Sequence, residues 1–332
     1  HLKICIFGAG AIGGYLGAKL AKTGATVTLI ARGPHLEAIR RDGLRLIGDG
    51  ETITAKVPCT DDPAEAGPQD YVIIALKAHS VPAIAERLAP LLGPETAVVP
   101  AVNGVPWWYF HKLPGPWEGR RLESVDPDGV QWRHIGPERV IGCVVYPAAE
   151  IVEPGVIRHI ALDRVPIGEP DGSRTERATA LSKAMIAAGI KAPVRPRIRD
   201  DVWIKLWGNM AFNPVSVLTG GTLAEIALDP AVRSVVRALM VEAQEIGEKL
   251  GAKFPIGVEK RIDGGAEVGD HKSSTLQDFE KRRPLEIDAL MGAIAELGRL
   301  VGVATPTIDM IYALVRQRAS TAGCYPEQTL IR

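Results

Sequence analysis

The chain has 332 residues, 46% of them hydrophobic, and its 39 basic residues balance 39 acidic ones. The length predicts roughly two domains, and zero net charge excludes bulk attraction to nucleic acid or an anionic membrane. No apolar stretch approaches the ~18 residues that span a bilayer, and Cys5, Cys59, Cys143 and Cys324 form no C-x-x-C pair, so a cytoplasmic protein with no metal site is expected.

Residues 2–7 (LKICIF) read as a short buried strand stopped by glycine. Residues 15–22 read as a helix that ends at Gly24, and 27–30 as a second apolar strand. The first turn between them is Gly8-Ala9-Gly10-Ala11-Ile12-Gly13. In a βαβ unit of this kind the first glycine makes the tight turn, and the second lets backbone approach a diphosphate. The third lets the helix pack on the strand. The helix N-terminus then favours the anion. A glycine-rich turn with an empty crevice is the competing reading.

The end of the second strand selects the cofactor. An NAD site places Asp or Glu there, whereas this chain has Arg32, with the first carboxylate, Glu37, too late to serve. A guanidinium fork suits a 2′-phosphate, so NADPH/NADP+ is expected; an unengaged surface arginine is the alternative.

Residues 71–76 (YVIIAL) and 97–102 (AVVPAV) are further apolar strands. Lys77 and Asn103 stand just past their ends, where open parallel sheets bind ligands. A solvated lysine and a plain Asn-Gly turn are the alternatives. More strands are expected at 139–146, 155–160 and 164–167. Residues 191–200 (KAPVRPRIRD) read as a linker. The expected fold is α/β: a Rossmann-type dinucleotide-binding domain at 1–195 followed by an all-helical substrate domain at 196–332, with the active site in the cleft between them.

In the back half, Asp229-Pro230 opens a helix that runs to about Gly251. Another begins near Ser273 and continues past Pro284, which should bend it. Thr305-Pro306 precedes a last helix ending near Arg318. The most informative stretch is DDVWIKLWGNMAFNPVSVL at 200–218. Lys205, Asn209 and Asn213 recur at i, i+4 and i+8, a polar stripe drifting only about 80° around the axis. Trp203, Leu206, Trp207 and Met210 cover a neighbouring arc. Two tryptophans place this helix in the interior and turn its stripe toward a cavity; a hydrophilic outer face is the alternative.

At these residues the chain resembles the ketopantoate reductase (2-dehydropantoate 2-reductase) family over most of its length. The markers are the glycine motif, Arg32, Lys77, Asn103-Gly104, the K-x-x-x-N-x-x-x-N-P helix from Lys205 to Pro214, and SSTLQDFEKRRPLEID, with Ser274, Gln277-Asp278 and Glu286-Ile287-Asp288. The resemblance implies NADPH-dependent reduction of 2-dehydropantoate (ketopantoate) to pantoate, a step of pantothenate biosynthesis. It makes Lys205 the proton donor at the ketone oxygen. It implies that Asn209, Asn213 and Ser274 hold the substrate's hydroxyl and carboxylate, and that Asn103 lies between cofactor and substrate. Ala148 would reach the nicotinamide side through its backbone, and Glu286 would orient Lys205 and touch the cofactor. The implied partner is a small 2-oxo acid, and a homodimer is one assembly the resemblance allows. Two other functions stay open: an NADP-dependent dehydrogenase of a different, bulkier 2-oxo or hydroxy acid, and a non-catalytic NADP(H)-sensing protein.

The chain departs from the family at two places. His271 stands where the family usually has asparagine. The connection after Asn103-Gly104 is longer than usual and contains Trp107, Trp108, Trp117 and Trp132. It reads either as a lid over a bulkier substrate or as an oligomer contact or self-packed loop. Trimming 106–133 to a short turn is expected to be tolerated, because loop length carries a modest entropic cost.

Overall fold

The computed structural model describes residues 1–326, so the end of the expected second domain, 327–332, lies outside the described residues. The chain forms two compact units. The first comprises His1–Val102, Pro106–Arg121 and Asp128–Ile198; the second comprises Asn103–Val105, Leu122–Pro127 and the described chain from Arg199 on.

In chain order the first unit carries β1 (Lys3–Phe7), α1 (Ala11–Ala21), β2 (Thr26–Ile30), α2 (Gly33–Asp42), β3 (Leu44–Gly48), β4 (Glu51–Ala55), β5 (Cys59–Thr60), β6 (Gln69–Ile74), α3 (Val81–Ile84) and β7 (Leu92–Pro100). It continues with α4 (Val130–His134), β8 (Gly142–Cys143), β9 (Ala148–Glu153), β10 (Val156–Ala161), β11 (Ile167–Gly168) and α5 (Glu176–Ala187). Five strands make a parallel sheet ordered β5-β2-β1-β6-β7. That order reverses direction at β1, the switch point at which doubly wound sheets bind ligands. Ile4, Ile6, Ile73 and Val99 are fully buried, as suits parallel strands covered on both faces.

A second sheet, ordered β4-β3-β10-β9, packs on the other side of α1. The glycine-rich face of α1 makes this possible. A Cβ on Gly14 would lie 2.6 Å from Ile157 of β10, and one on Gly17 would lie 2.8 Å from Leu29 of β2. The β3–β4 hairpin is absent from the sequence expectation, as is β9. The strand expected at 139–146 reduces to Gly142–Cys143. The one expected at 164–167 begins only at Ile167.

The stretch 191–200 is no free linker. Val165 N–H donates to Lys191 O (2.7 Å), Ile167 N–H to Pro193 O (3.0 Å), and Arg195 N–H to Ile167 O (2.7 Å). Its prolines leave enough donors and acceptors for strand-like pairing along β11.

The second unit is helical: α6 (Ile198–Thr219), α7 (Leu223–Leu228), α8 (Pro230–Lys249), α9 (Val258–Val268), α10 (Ser274–Glu280), α11 (Ala293–Val301) and α12 (Pro306–Thr321). Asp229 caps α8 by accepting from Ala231 and Val232 N–H. Trp203 and Trp207 of α6 are buried against Phe254, at ring separations of 6.1 and 5.0 Å, and Trp207 Nε1–H donates to Met240 O of α8 (2.9 Å). The helix expected to bend at Pro284 is instead broken. It stops at Glu280, Arg282 takes a left-handed φ of 56°, and a π-helical turn, Asp288–Gly292, leads into α11. Proline disfavours helix in the residue before it, and Arg283 N–H closes the end on Asp278 O (2.8 Å). Among the described residues no helix is long and apolar enough to cross a membrane.

Candidate active site

The glycine motif sits at the C-terminal end of β1, at the switch point of the parallel sheet. Gly8 has φ 105° and its N–H donates to Ile30 O (3.1 Å). A side chain there would be strained in φ and would meet Ala75 O at 2.6 Å. A Cβ on Gly13 would fall 1.7 Å from Gly8 O, so helix and turn are in direct backbone contact. Gly10 differs: nothing lies within 4 Å of the place its Cβ would occupy. Gly10 is also the N-cap of α1, which has no side-chain cap and no acid in its first turn. Ala11, Ile12 and the following backbone thus offer unsatisfied N–H groups beside open space, the chemistry a diphosphate needs.

Arg32 is the N-cap of α2, exposed at the end of β2, with no ion-pair partner among the described residues. Lys77 is exposed where a short 3-10 turn begins after β6. Ala148 opens β9, paired with Ala161 in the other sheet. His35 was not foreseen. Its Nε2–H donates to the carbonyl of Ala9 inside the motif, and its Nδ1 accepts Gly155 N–H (2.8 Å). An accepting Nδ1 requires the neutral Nε2–H tautomer. Nothing in the spacing of residues 9, 35 and 155 signals this bridge.

In the second unit, Lys205 Nζ donates to Asn103 Oδ1 at 2.8 Å. Asn103 belongs to this unit because the next two residues dock on the π-helical turn. Gly104, at φ 95°, lies so close to Ala289 that a Cβ would meet its Cβ and carbonyl oxygen at 2.7 Å, and Val105 N–H donates to Ala289 O (2.9 Å). Asn209 is half-buried and Asn213 buried along the same helical stripe as Lys205.

Glu286 is half-buried between Leu285 and Ile287, which are both buried. Leu285 N–H donates to Cys324 O (2.9 Å). Asp288 accepts from the hydroxyls of Tyr312 and Tyr325, the latter at 2.7 Å to each carboxylate oxygen. Burial first, and the Asp288 carboxylate second, push the Tyr325 phenol above its usual pKa.

The two serines divide their roles. Ser273 caps α10 by accepting Leu276 N–H (3.0 Å) and bonds Ser216 of α6 (2.6 Å), while Ser274 is exposed at the first helical position. His271 has an exposed side chain, and its backbone carbonyl accepts Leu223 N–H (2.9 Å).

The tryptophan-rich segment is anchored, which corrects the expectation that it can be trimmed. Trp107, Trp108, Tyr109 and Phe110 are all buried within the first unit. Trp108 lies against β8, where a Cβ on Gly142 would fall 2.9 Å from its ring, and Trp107 meets Trp132 edge to face at 6.1 Å. Residues Leu122–Pro127 are held in the second unit, where Glu296 of α11 accepts the N–H groups of Glu123 (3.0 Å) and Ser124 (2.8 Å).

Two family descriptions match the chain: "Ketopantoate reductase PanE/ApbA" over residues 4–107 and "Ketopantoate reductase PanE/ApbA C terminal" over 197–319. A 2-dehydropantoate 2-reductase of Mesorhizobium japonicum is 58% identical across 98% of this chain and 100% of its own. A provisionally named ketopantoate reductase from Ralstonia solanacearum MolK2 superposes with a TM-score of 0.93 at 46% identity, covering 98% of this chain and 99% of its own. A PanE/ApbA family ketopantoate reductase from Ralstonia eutropha JMP134 gives 0.83 at 29% identity, covering 97% and 99%.

Proposed function

The chain belongs to the ketopantoate reductase family of NAD(P)H-dependent oxidoreductases, and we propose that it reduces 2-dehydropantoate to pantoate with NADPH. Residues 1–195 would bind the nucleotide and 196–332 carry the substrate groups. The substrate is supported by the 58% identity over the whole of a relative with that activity in its name. The observation that carries the chemistry is the Lys205 ammonium held on the Asn103 amide.

When bound, the reduced nicotinamide supplies the hydride for the C2 ketone. This chain's groups do the rest. Negative charge grows on the ketone oxygen as the carbon is reduced. The Lys205 ammonium stabilises that charge and then gives up a proton to it. The Asn103 carbonyl oxygen accepts one Nζ–H and so restricts where the other two point. Asn209, Asn213 and Ser274 would hold the hydroxyl and carboxylate, and Glu286 would act on Lys205 from its tied-down segment. On the nucleotide side, Gly8 to Gly13 would receive the diphosphate, Lys77, Asn103, Ala148 and Glu286 would border the cofactor, and Arg32 would pair with the 2′-phosphate.

The test is steady-state turnover on a panel of 2-oxo acids with NADPH and NADH. Ketopantoate with NADPH should give the highest kcat/KM, and Arg32→Asp should shift preference toward NADH. A bulkier 2-oxo acid turned over faster than ketopantoate would overturn the substrate, and equal affinity for both nucleotides would overturn the role of Arg32. A homodimer and a cytoplasmic setting complete the proposal, read from mass in solution and cell fractionation.

A further inference from the structure

Gly208 stands inside α6, between Lys205 and Asn209, and the space its side chain would fill is taken by a guanidinium. A Cβ there would lie 2.0 Å from Arg261 Nη2, 2.5 Å from its Cζ and 3.0 Å from its Nε. The guanidinium therefore lies over the helix backbone. One turn further along, a Cβ on Gly265 would meet the Phe212 ring at 2.7 Å. Arg261 and Gly265 are four residues apart on α9, as Gly208 and Phe212 are on α6. The two helices thus run side by side with Arg261 against Gly208.

At 100° per residue, Gly208 projects about 60° from Lys205 on the side opposite Asn209. A helical Cβ leans toward the N-terminus, so the space over Gly208 covers the turn that begins near Lys205. Glycine in a helix interior is unfavourable relative to alanine, and the seat for Arg261 gives that glycine a reason. The arrangement brings a guanidinium to the flank of the polar stripe, over the turn that joins Lys205 to Asn209.

We propose that Arg261, seated by Gly208, binds the carboxylate of the 2-oxo acid and so selects acids over neutral ketones. The proposal rests on the reductase reading above. A 2-oxo acid carries its carboxylate one bond from the ketone carbon, so a cation near Lys205 has the reach the substrate requires. The planar guanidinium fork can hold both oxygens at once, which an ammonium cannot.

The experiment compares wild type, Gly208→Ala, Arg261→Gln and the double variant. The probes are ketopantoate and its internal lactone, in which the carboxylate is esterified and uncharged. The lactone is read by turnover or, where that is too slow, by its inhibition constant. Gly208→Ala keeps the arginine and displaces only the far end of a flexible side chain, so its melting temperature should hold even if Arg261→Gln unfolds. Each single variant should raise KM for ketopantoate about 10-fold or more, with a smaller change in kcat and none on the lactone. The double variant should be no worse than Arg261→Gln alone.

An unchanged KM in Gly208→Ala, equal losses on acid and lactone, or additive losses in the double variant would each overturn the proposal. If wild type ignores ketopantoate but reduces another 2-oxo acid, the substrate reading falls. The same comparison, run with that acid and its methyl ester, still decides Arg261. An enzyme that reduces no 2-oxo acid overturns both.

Discussion

The Lys205 ammonium and the Asn103 side-chain carbonyl, 102 residues apart in sequence, meet at 2.8 Å. The bond aims the ammonium as well as holding it. Lys205→Met should lower turnover by about 10²-fold or more, the range for a positioned acid, with nucleotide affinity barely changed. Asn103→Ala leaves the charge but frees its direction, so a loss of about 10-fold is expected from lost orientation. Full turnover in Asn103→Ala would show that the amide is incidental.

Two glycines three residues apart should respond oppositely to the same substitution. Gly13→Ala drives a Cβ into the backbone oxygen of Gly8, which cannot move aside, whereas Gly10→Ala meets nothing. Thermal melting should therefore collapse for Gly13→Ala and hold for Gly10→Ala. Nucleotide titration should show Gly10→Ala binding about 10-fold more weakly or worse, because the methyl fills the approach to the diphosphate. Unchanged binding would place the diphosphate elsewhere.

The His35 bridge can be taken apart one bond at a time. Gln carries a donor near the position of Nε2 and preserves the bond to Ala9 O; Asn carries an acceptor near Nδ1 and preserves the bond from Gly155 N–H. If the histidine shapes the glycine motif through Ala9, His35→Gln keeps nucleotide affinity and His35→Asn loses several-fold, with kcat similar in both. Equal affinities for the two variants would reduce His35 to a packing role.

Trp108 is 1% exposed and has β8 against its ring. Trp108→Ala should cost about 3–5 kcal/mol of stability, the range for removing a buried aromatic. Chemical denaturation reads this directly. A cost below about 1 kcal/mol would return the segment to the class of dispensable loops.

Much of this molecule is legible in its residues, and the failures share a cause. The glycine motif and the Lys205 stripe announce themselves because their meaning is local: both are periodicities within one or two elements. The β3–β4 hairpin goes unread although its signal is local: Asp49-Gly50, with positive φ values of 51° and 70°, forms the tight turn that an Asp-Gly pair favours. Asn103 reads correctly as a residue past a strand end. Its place in the second unit depends on Gly104 meeting Ala289, a contact that no local pattern encodes. The tryptophan segment misleads for a similar reason: a run of aromatics looks the same whether it walls a pocket or fills a core, and only its partners, Gly142 and Trp132, decide. Gly208 is the intermediate case. A glycine inside a helix signals a close neighbour without naming it.

The ties at Leu285 and Asp288 also set an order of events during synthesis. Asp288 waits for the hydroxyl of Tyr325, made 37 residues later, and Leu285 waits for the carbonyl of Cys324. A ribosome that has already delivered Lys205, Asn209, Asn213, Ser274 and Glu286 has still not delivered what fixes the Glu286 segment. The helix bearing Lys205 has its tryptophan packing at hand long before then. A growing chain, or one cut short before Cys324, therefore carries every residue assigned to the chemistry while the Glu286 segment still lacks its ties to Cys324 and Tyr325.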